Sequence, residues 1–367
     1  MSDLLPSPPG PLPGVRRWPR RLAVTAAVVV AVTGVLLVGT AVAGSAAPTA
    51  VVPITTGGLV RDALTGLPMC TAASRRAAAA ARTASPFGPQ WWKRKLTMAT
   101  FTVTGGPRST QLRAINDAGI AVGTAGGGGE LLYPSTGFLI RAPYRQGDVV
   151  RRTVPGARQT VETGINRFSV HVGSFVGKDG ATSGFVWFGD TLRAVRDPLG
   201  RARPSIDRLF GISDTGWAAG AYDDEKGLSH GYLYDVCRGT FQPIGIPVAH
   251  TNLEATGVNA KGVVVGNFAT GESLHGFVLD RGRFTPLDLG NATQTQVLGV
   301  DNAGDLVGSY VDRTGATLGF VWSNGRVRSL SAPGAAGCTV VSGVNGRGRL
   351  AGYFTTVDRR TVGFVAT

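Results

Sequence analysis

The fold is decided by the stretch Gly257-Val258-Asn259-Ala260-Lys261-Gly262-Val263-Val264-Val265-Gly266, followed after a loop by His275-Gly276-Phe277-Val278. Related stretches occur six times, and we number them repeats one to six. Their first position recurs at intervals of 50, 47, 46, 42 and 44 residues, at Ala114, Gly164, Gly211, Gly257, Gly299 and Gly343. Each repeat has a glycine nine residues later and then a Gly-Phe or Gly-Tyr pair. Six copies with such constant internal spacing predict a repeat fold.

Each repeat is predicted to contain four short strands. Runs of β-branched and aromatic residues alternate with Gly, Asn and Asp clusters, and no long stretch has a period of 3.6 residues. A turn follows the first strand, with Asn, Ser or Asp at its first position and Gly three residues later, a pattern typical of type I turns. Repeat two departs from it, with Ser169 in place of the glycine. Four strands in about 45 residues is the size of one propeller blade.

Two glycines inside each repeat require a physical reason, because glycine weakens a strand. They lie 10 to 14 residues apart, as Gly266 and Gly276 do in repeat four. We expect them to lie opposite one another on the two middle strands and to make room for an aromatic ring of the next repeat. A β-bulge at each glycine is the alternative that the sequence leaves open.

The ends of the repeat region predict a closed ring. Repeat six stops after its third strand at residues 363–367, and a stretch with the fourth-strand pattern occurs instead at Thr100–Thr104. A ring closed by this N-terminal strand has no long open edge, whereas an open solenoid needs capping repeats at both ends. We therefore predict an all-β fold, a six-bladed β-propeller over residues 96–367, and a monomer.

The repeated pattern G-[IV]-N-x-x-G-x-x-V-G, followed by H-G-F-V, resembles the extracellular HAF-repeat proteins of bacteria. The histidine of the motif is present at His275 and His230 and is replaced in the other repeats. The resemblance covers residues 96–367 and implies an exported repeat protein. It carries over no activity, because the motif is structural.

The N-terminal region predicts export. Four arginines at 16, 17, 20 and 21 precede an uncharged, largely apolar stretch at residues 22–44. Positive charge before an apolar run keeps the N-terminus inside the cell, so residues 1–21 are expected to be a disordered cytoplasmic segment. The 23-residue length favours a retained transmembrane anchor, while Ala41-Val42-Ala43 fits a signal-peptide cleavage site. Both outcomes stay open.

Residues 45–95 are expected to be a low-complexity, disordered linker. Residues 1–95 carry 11 Lys and Arg against 2 acidic residues, which gives +9 of the total +14. The repeats hold the other 26 basic and 21 acidic residues, so the charge does not indicate a nucleic-acid surface, and no nucleic-acid motif is present. The three cysteines are Cys70 in the linker and Cys237 and Cys338 in the repeats. Cys237 and Cys338 are expected at opposite mouths of the ring and should not pair, so no disulfide framework is predicted.

No motif of a known catalytic or metal site is present, so we expect neither a metal nor a cofactor and identify no catalytic residues. In a four-stranded repeat, the loop between the second and third strands and the connection to the next repeat emerge on the same side. We call this side the loop face and the opposite side, with the tight turns, the turn face. Varied loops on a rigid scaffold commonly bind ligands. The predicted ligand-binding residues are Asp223, Asp224, Glu225, Asp312, Arg313, Arg359 and Arg360.

Three functions are compatible with these features. The leading hypothesis is an exported, membrane-anchored propeller that binds a protein or glycan partner at the cell surface. The first alternative is an extracellular polysaccharide hydrolase or lyase, which would need two free carboxylates about 5–10 Å apart. The second alternative is a structural spacer without a ligand.

Overall fold

The computed structural model describes residues 67–81, 84–88, 91–93, 95–103, 109–126, 135–200, 202–290 and 292–367, without the side chains of Trp92 and Gln146. Several predicted segments lie outside the described residues: the cytoplasmic segment 1–21, the apolar stretch 22–44 and the linker up to residue 66. Residues 127–130, in the loop after the second strand of repeat one, also lie outside them. None of the helices in the described part of the chain has the length and apolar character needed to cross a membrane.

The described chain is all-β apart from one short helix, α1 (Ala72–Ala80), and three single 3₁₀ turns, Pro68–Cys70, Trp91–Lys93 and Gln146–Asp148. The strands before repeat four are β1 (Met98–Phe101), β2 (Ser109–Ile115), β3 (Ile120–Gly126), β4 (Thr136–Arg141), β5 (Val150–Arg152), β6 (Gln159–Ile165), β7 (His171–Val176), β8 (Thr182–Phe188), β9 (Thr191–Val195), β10 (Asp207–Ile212), β11 (Trp217–Asp223), β12 (Ser229–Asp235) and β13 (Thr240–Pro243). Repeats four to six contribute β14 (Asn252–Val258), β15 (Val264–Thr270), β16 (Ser273–Asp280), β17 (Arg283–Leu287), β18 (Ala292–Val300), β19 (Leu306–Asp312), β20 (Thr317–Ser323), β21 (Arg326–Leu330), β22 (Ala335–Val344), β23 (Leu350–Thr356) and β24 (Thr361–Ala366).

Within each repeat the strands pair antiparallel, as the sequence predicts. Repeats two, three and four form separate four-stranded sheets, β6–β9, β10–β13 and β14–β17. The strands of repeats one, five and six, β2–β5, β18–β21 and β22–β24, belong with β1 to one twelve-stranded sheet, in which parallel pairs join β20 to β22 and β24 to β2. The fourth strand of the last group is β1, which pairs with β24 from Met98 opposite Ala366 to Phe101 opposite Gly363. This strand begins two residues before the predicted stretch.

The predicted tight turn is present in all six repeats. In repeat four the N–H of Gly262 donates to the carbonyl of Asn259 at 3.1 Å, and the backbone at Gly262 is left-handed. Repeat two keeps the same turn without glycine, because Ser169 itself adopts a φ of 58°. The N–H of Ser169 still donates to the carbonyl of Asn166. The side chain at the first turn position therefore matters more than the glycine.

The expected arrangement of the two interior glycines is wrong by one residue. Gly266 on β15 lies opposite Phe277, the aromatic residue of its own repeat, and not opposite Gly276. The ring of Phe277 covers Gly266, while Gly276 makes room for Val297 on the first strand of the next repeat. A bulge accompanies this packing in every repeat, and it lies on the first strand, where the register shifts between Ala255 and Gly257 in repeat four.

The linker prediction is corrected for the residues that the structure describes. Residues 67–81, 84–88 and 91–93, which we call the strap, pack on the turn face of the repeats. Leu67 and Met69 are buried with strands of repeats two and three. Phe87 and Trp91 are buried with strands of repeats five and six. The strap therefore spans from one side of the turn face to the other.

A disulfide that the sequence did not predict joins the strap to repeat three. Cys70 is bonded to Cys237, which lies between β12 and β13 on the turn face, while Cys338 is free. Next to it, the guanidinium of Arg75 donates two hydrogen bonds to Asp235, at 2.6 and 3.1 Å. Burial opposes ionisation of Asp235, but the hydrogen bonds and the charge of Arg75, together with the backbone N–H groups of Cys237 and Arg238, outweigh that effect and lower its pKa.

Candidate functional site

The seven predicted binding residues all lie on the loop face, but they occupy three separate loops. These loops join β11 to β12, β19 to β20 and β23 to β24. Among the described residues, no hydrogen bond or ion pair connects one of these loops to another. The structure therefore does not bring the seven residues together into one site.

Asp223 is not a free surface carboxylate. The residue is 7% exposed, and its side chain accepts hydrogen bonds from Arg208 Nη2 at 2.7 Å and from Ser229 Oγ at 2.8 Å. The same Arg208 nitrogen lies 3.4 Å from Glu254 Oε1, whose pKa is raised by burial. This buried charge cluster joins the first strands of repeats three and four, so the main role of Asp223 is structural.

Asp224 and Asp312 shape their own loops. Asp224 accepts backbone hydrogen bonds from Lys226 and Leu228, and its hydrogen bond with His230 lowers its pKa to about 2. Asp312 likewise accepts hydrogen bonds from the backbone N–H groups of Thr314 and Ala316. Short polar side chains commonly form such turns.

The other predicted residues remain available to a partner. Glu225, Arg313 and Arg359 are exposed, and Arg359 has a left-handed backbone with a φ of 60°. Arg360 is also exposed, but it pairs with exposed Asp358 at 2.8 Å. An exposed pair of this kind contributes little to stability and can be replaced by a ligand.

One pair of interacting carboxyl groups lies near the loop face. The N–H of Asp197 donates to Asp207 Oδ1 at 2.8 Å, and burial raises the pKa of Asp207 to about 7. Paired carboxyl groups with separated pKa values are typical of glycoside hydrolases. However, Asp207 is only 1% exposed and Asp197 only 6%. A polysaccharide chain cannot reach these groups in this conformation.

On the turn face, the first turns of all six repeats surround a central depression of about 80 Å³. Asparagine side chains at the first turn position connect neighbouring repeats. Asn116 donates to the carbonyl of Asn166, Asn166 to that of Ser213, and Asn345 to that of Asn116, over distances of 2.8–3.2 Å. Asn259 donates in the same way to the carbonyl of Asp301 at 2.9 Å. The turns therefore hold repeats together as well as reversing the chain.

Asp301 interrupts this series because a carboxylate has no N–H to donate. Its Oδ1 accepts the N–H groups of Ala303, Gly304 and Asp305, while its buried Oδ2 has no hydrogen-bond partner among the described residues. Burial, reinforced by the nearby charge of Asp305, raises the pKa of Asp301 from 3.8 to about 7. In the described residues, no three His, Cys, Asp or Glu side chains are grouped closely enough to hold a metal ion.

A larger cavity, of about 330 Å³, lies between the strap and the first turn of repeat six; we call it the strap cavity. Its volume is at the lower end of the range of small-molecule sites, about 300–1,000 Å³. Aromatic, aliphatic and cationic side chains line it. The lining residues are Pro86, Phe87, Trp91, Lys95, Leu96, Arg347, Gly348, Arg349, Leu350 and Thr367.

The strap cavity is absent from the sequence-based site prediction. The sequence does contain a signal for it, since Trp91-Trp92-Lys93-Arg94-Lys95 combines aromatic and basic residues directly before the first strand. The sequence does not reveal the second wall of the strap cavity, because Arg347 and Arg349 lie about 250 residues further along the chain.

The chain resembles several solved structures at low identity. TolB from Acinetobacter baumannii matches with 12% identity and a TM-score of 0.43, over 66% of this chain and 65% of TolB. The β-propeller domain of the Trilobed protease from Pyrococcus furiosus matches with 10% identity and a TM-score of 0.41, over 70% of this chain and 95% of that domain. AofleA from Arthrobotrys oligospora matches with 9% identity and a TM-score of 0.42, over 79% and 87%.

This chain thus spans slightly less than two thirds of TolB. No protein-family model matches the chain, and no curated protein matches it.

Proposed function

We propose that the six four-stranded groups form a closed six-bladed propeller. Contacts at the junction of repeats six and one support closure. Ser342 Oγ donates to the carbonyl of Leu112 at 2.6 Å, and Asn345 donates to that of Asn116 at 2.8 Å. A Cβ on Gly343 would lie 2.9 Å from the Cα of Ala114, so the first strands of these repeats are closely packed. The pairing of β1 with β24 gives the last blade its fourth strand.

We propose further that the protein is exported and held at the outer face of the cytoplasmic membrane by residues 22–44, as a member of the HAF-repeat family. The basic residues before this apolar stretch support the orientation. The Cys70–Cys237 disulfide supports it independently, because structural disulfides form and persist in oxidising compartments.

A labelling experiment tests the location. In a Cys338→Ala background, Glu272→Cys introduces one free thiol in the exposed loop between β15 and β16. A membrane-impermeant maleimide should label this thiol on intact cells. Protection of the thiol until the cells are lysed would contradict export.

The function that the geometry supports best is binding, and the strap cavity carries this proposal. It has the size of a ligand site and combines apolar walls with a few polar groups, which is the usual composition of such sites. The exposed loop-face residues Glu225, Arg313 and Arg359 offer a second surface for a protein or glycan partner. The two surfaces lie on opposite faces of the repeats.

A glycan array and a cell-surface protein pull-down with the full-length chain test the binding function. We expect at least one retained partner, and the variant that loses it identifies the surface. Arg313→Gln and Arg359→Gln probe the loop face, and Arg347→Gln probes the strap cavity. If the chain retained neither a glycan nor a protein, the result would support the alternative that the loop face belongs to a structural spacer without a ligand.

A further inference from the structure

We propose that the strap cavity binds a small ligand in which a carboxylate is attached to an apolar ring. This inference names the ligand class for the proposed binding function, and it rests on that function in one respect: the strap cavity must be a ligand site. It combines three observations about the cavity wall: a buried indole donor without a partner, an excess of cationic side chains, and apolar surface between them.

The indole of Trp91 provides the first observation. Trp91 is 3% exposed and lines the cavity, and its Nε1–H has no hydrogen-bond partner among the described residues. A buried donor left without an acceptor costs about 1–3 kcal/mol. An acceptor atom on a ligand that reached the indole would remove this penalty, so a ligand with a lone pair at this wall is favoured.

Cationic side chains provide the second observation. Lys95, Arg347 and Arg349 line the cavity, while none of the lining side chains is acidic. Lys95 and Arg347 form no ion pair with any described residue. Arg349 interacts with the hydroxyl of Tyr144, a neutral partner, and therefore keeps its charge available. Guanidinium groups bind carboxylates with paired hydrogen bonds, so a carboxylate matches this wall.

Apolar surface provides the third observation and decides what carries the carboxylate. Phe87 and Trp91 pack with ring centroids 4.9 Å apart, and Pro86, Leu96 and Leu350 complete the apolar walls. A sugar acid would bring several hydroxyl groups, each of which needs a partner when it leaves water. The indole of Trp91 and the hydroxyl of Thr367 are the two neutral side-chain donors among the lining residues, too few for several sugar hydroxyl groups. An aromatic or aliphatic ring gives up no hydrogen bonds to water when it enters the cavity, and the burial of its apolar surface is favourable.

The cavity also joins two separate parts of the chain. Pro86, Phe87, Trp91, Lys95 and Leu96 come from the strap and the segment before β1, whereas residues 347–350 belong to repeat six. A ligand between them contacts both walls. Its binding should therefore stabilise the folded protein and protect the strap against proteolysis.

Benzoate is the probe, titrated by calorimetry into the full-length chain in a mild detergent. We expect saturable binding with a Kd of about 1 mM, a reasonable value for so small a ligand. The neutral analogue benzyl alcohol and the sugar acid D-galacturonate should bind at least about tenfold more weakly, because each lacks one of the two recognised features.

Two variants separate ligand recognition from folding. Arg347→Gln removes an unpaired charge and should weaken benzoate binding about three- to tenfold. Trp91→Phe keeps an aromatic ring but removes the unpartnered donor, and it should weaken binding by a similar factor; its Tm, measured beside it, reports the packing lost with the smaller ring. Arg283→Gln, at an exposed position on β17, is the matched control and should bind like the wild type.

The outcomes are distinguishable. Absence of saturable benzoate binding, or unchanged affinity in both cavity variants, overturns the proposed ligand class. Tighter binding of D-galacturonate than of benzoate overturns the apolar ring. Neither result affects the array and pull-down test of the loop face, so failure of this inference can be told from failure of the general binding function.

Discussion

Replacement of Gly266 by alanine tests the packing that all six repeats share. Gly266 lies on β15 opposite Phe277, and a Cβ added to it would lie 2.7 Å from Cε1 of that ring. The same Cβ would overlap the carbonyl oxygen of Glu254 on the bulged first strand even more closely. A backbone oxygen cannot rotate away as a flexible side chain can, so the strand itself must move.

The size of the effect follows from these contacts. Ordinary van der Waals contacts of a Cβ begin near 3.4 Å, so the Phe277 ring would have to move by about 0.7 Å and the Glu254 carbonyl by more. Forced overpacking of a dense interior costs about 1–3 kcal/mol, and two simultaneous clashes place Gly266→Ala at the upper end. For a domain of this size, about 3 kcal/mol corresponds to a decrease in Tm of about 6–12 °C.

Thermal unfolding followed by circular dichroism measures this difference. Gly245→Ala is the matched control, because Gly245 is exposed, its φ is not positive, and a Cβ there would have no atom within 4 Å. This control should keep or slightly raise Tm, since alanine restricts the unfolded chain. Gly308→Ala, at the equivalent position of repeat five, should behave like Gly266→Ala. Equal Tm values for Gly266→Ala and Gly245→Ala would refute the reasoning.

Three further predictions follow from individual contacts. The double variant Cys70→Ser/Cys237→Ser opens a loop of 167 residues, so chain entropy predicts that the unfolding free energy measured in urea falls by about 5 kcal/mol. An unchanged unfolding free energy would mean that the strap does not constrain the repeats. Asp301→Asn should raise the unfolding free energy at pH 8 and flatten its dependence on pH. Because the pKa of Asp301 is raised in the folded state, wild-type stability falls as pH rises from about 4 through about 7. An unchanged pH profile in the variant would contradict this assignment. Asp223→Ala should lower the unfolding free energy by about 3 kcal/mol, because it leaves buried Arg208 with Glu254, 3.4 Å away, as its one remaining counter-charge among the described residues. Glu225→Ala should stay within about 0.5 kcal/mol, and equal effects of the two would argue against the buried ion pair.

The repeat architecture could be predicted because its determinants are local and occur six times. Each Asn-x-x-Gly turn is encoded within four residues, and each strand within about six. The pairing of repeat six with a strand before repeat one was also predictable, since one pattern is missing at one end and present at the other. The register of the interior glycines was not, because the hairpin between the second and third strands sets it. In repeat four the pairing of Thr270 with Ser273 at that hairpin places Gly266 opposite Phe277.

The strap could not be predicted from its composition. Its Ala-rich and Arg-containing sequence is typical of a linker, and a nine-residue helix such as α1 is marginal by itself. What holds it in place is tertiary: a disulfide, the Arg75–Asp235 ion pair and a few buried apolar side chains. Cys237 and Asp235 lie two residues apart in repeat three, so one short segment of the repeats supplies both attachment points.

The candidate site illustrates the same distinction between local and distant information. Asp223, Asp224 and Glu225 are adjacent acidic residues in one loop, yet they differ in exposure and partners. Only the strand register reveals that the first of them faces Arg208, 15 residues earlier in the chain. The strap cavity depends even more on distant residues, because its aromatic wall precedes the first repeat and its arginines lie in the last one. The pairing of β1 with β24 brings these two ends of the repeat region together. A ligand in this cavity would therefore bind beside that pairing and would report on whether it is intact.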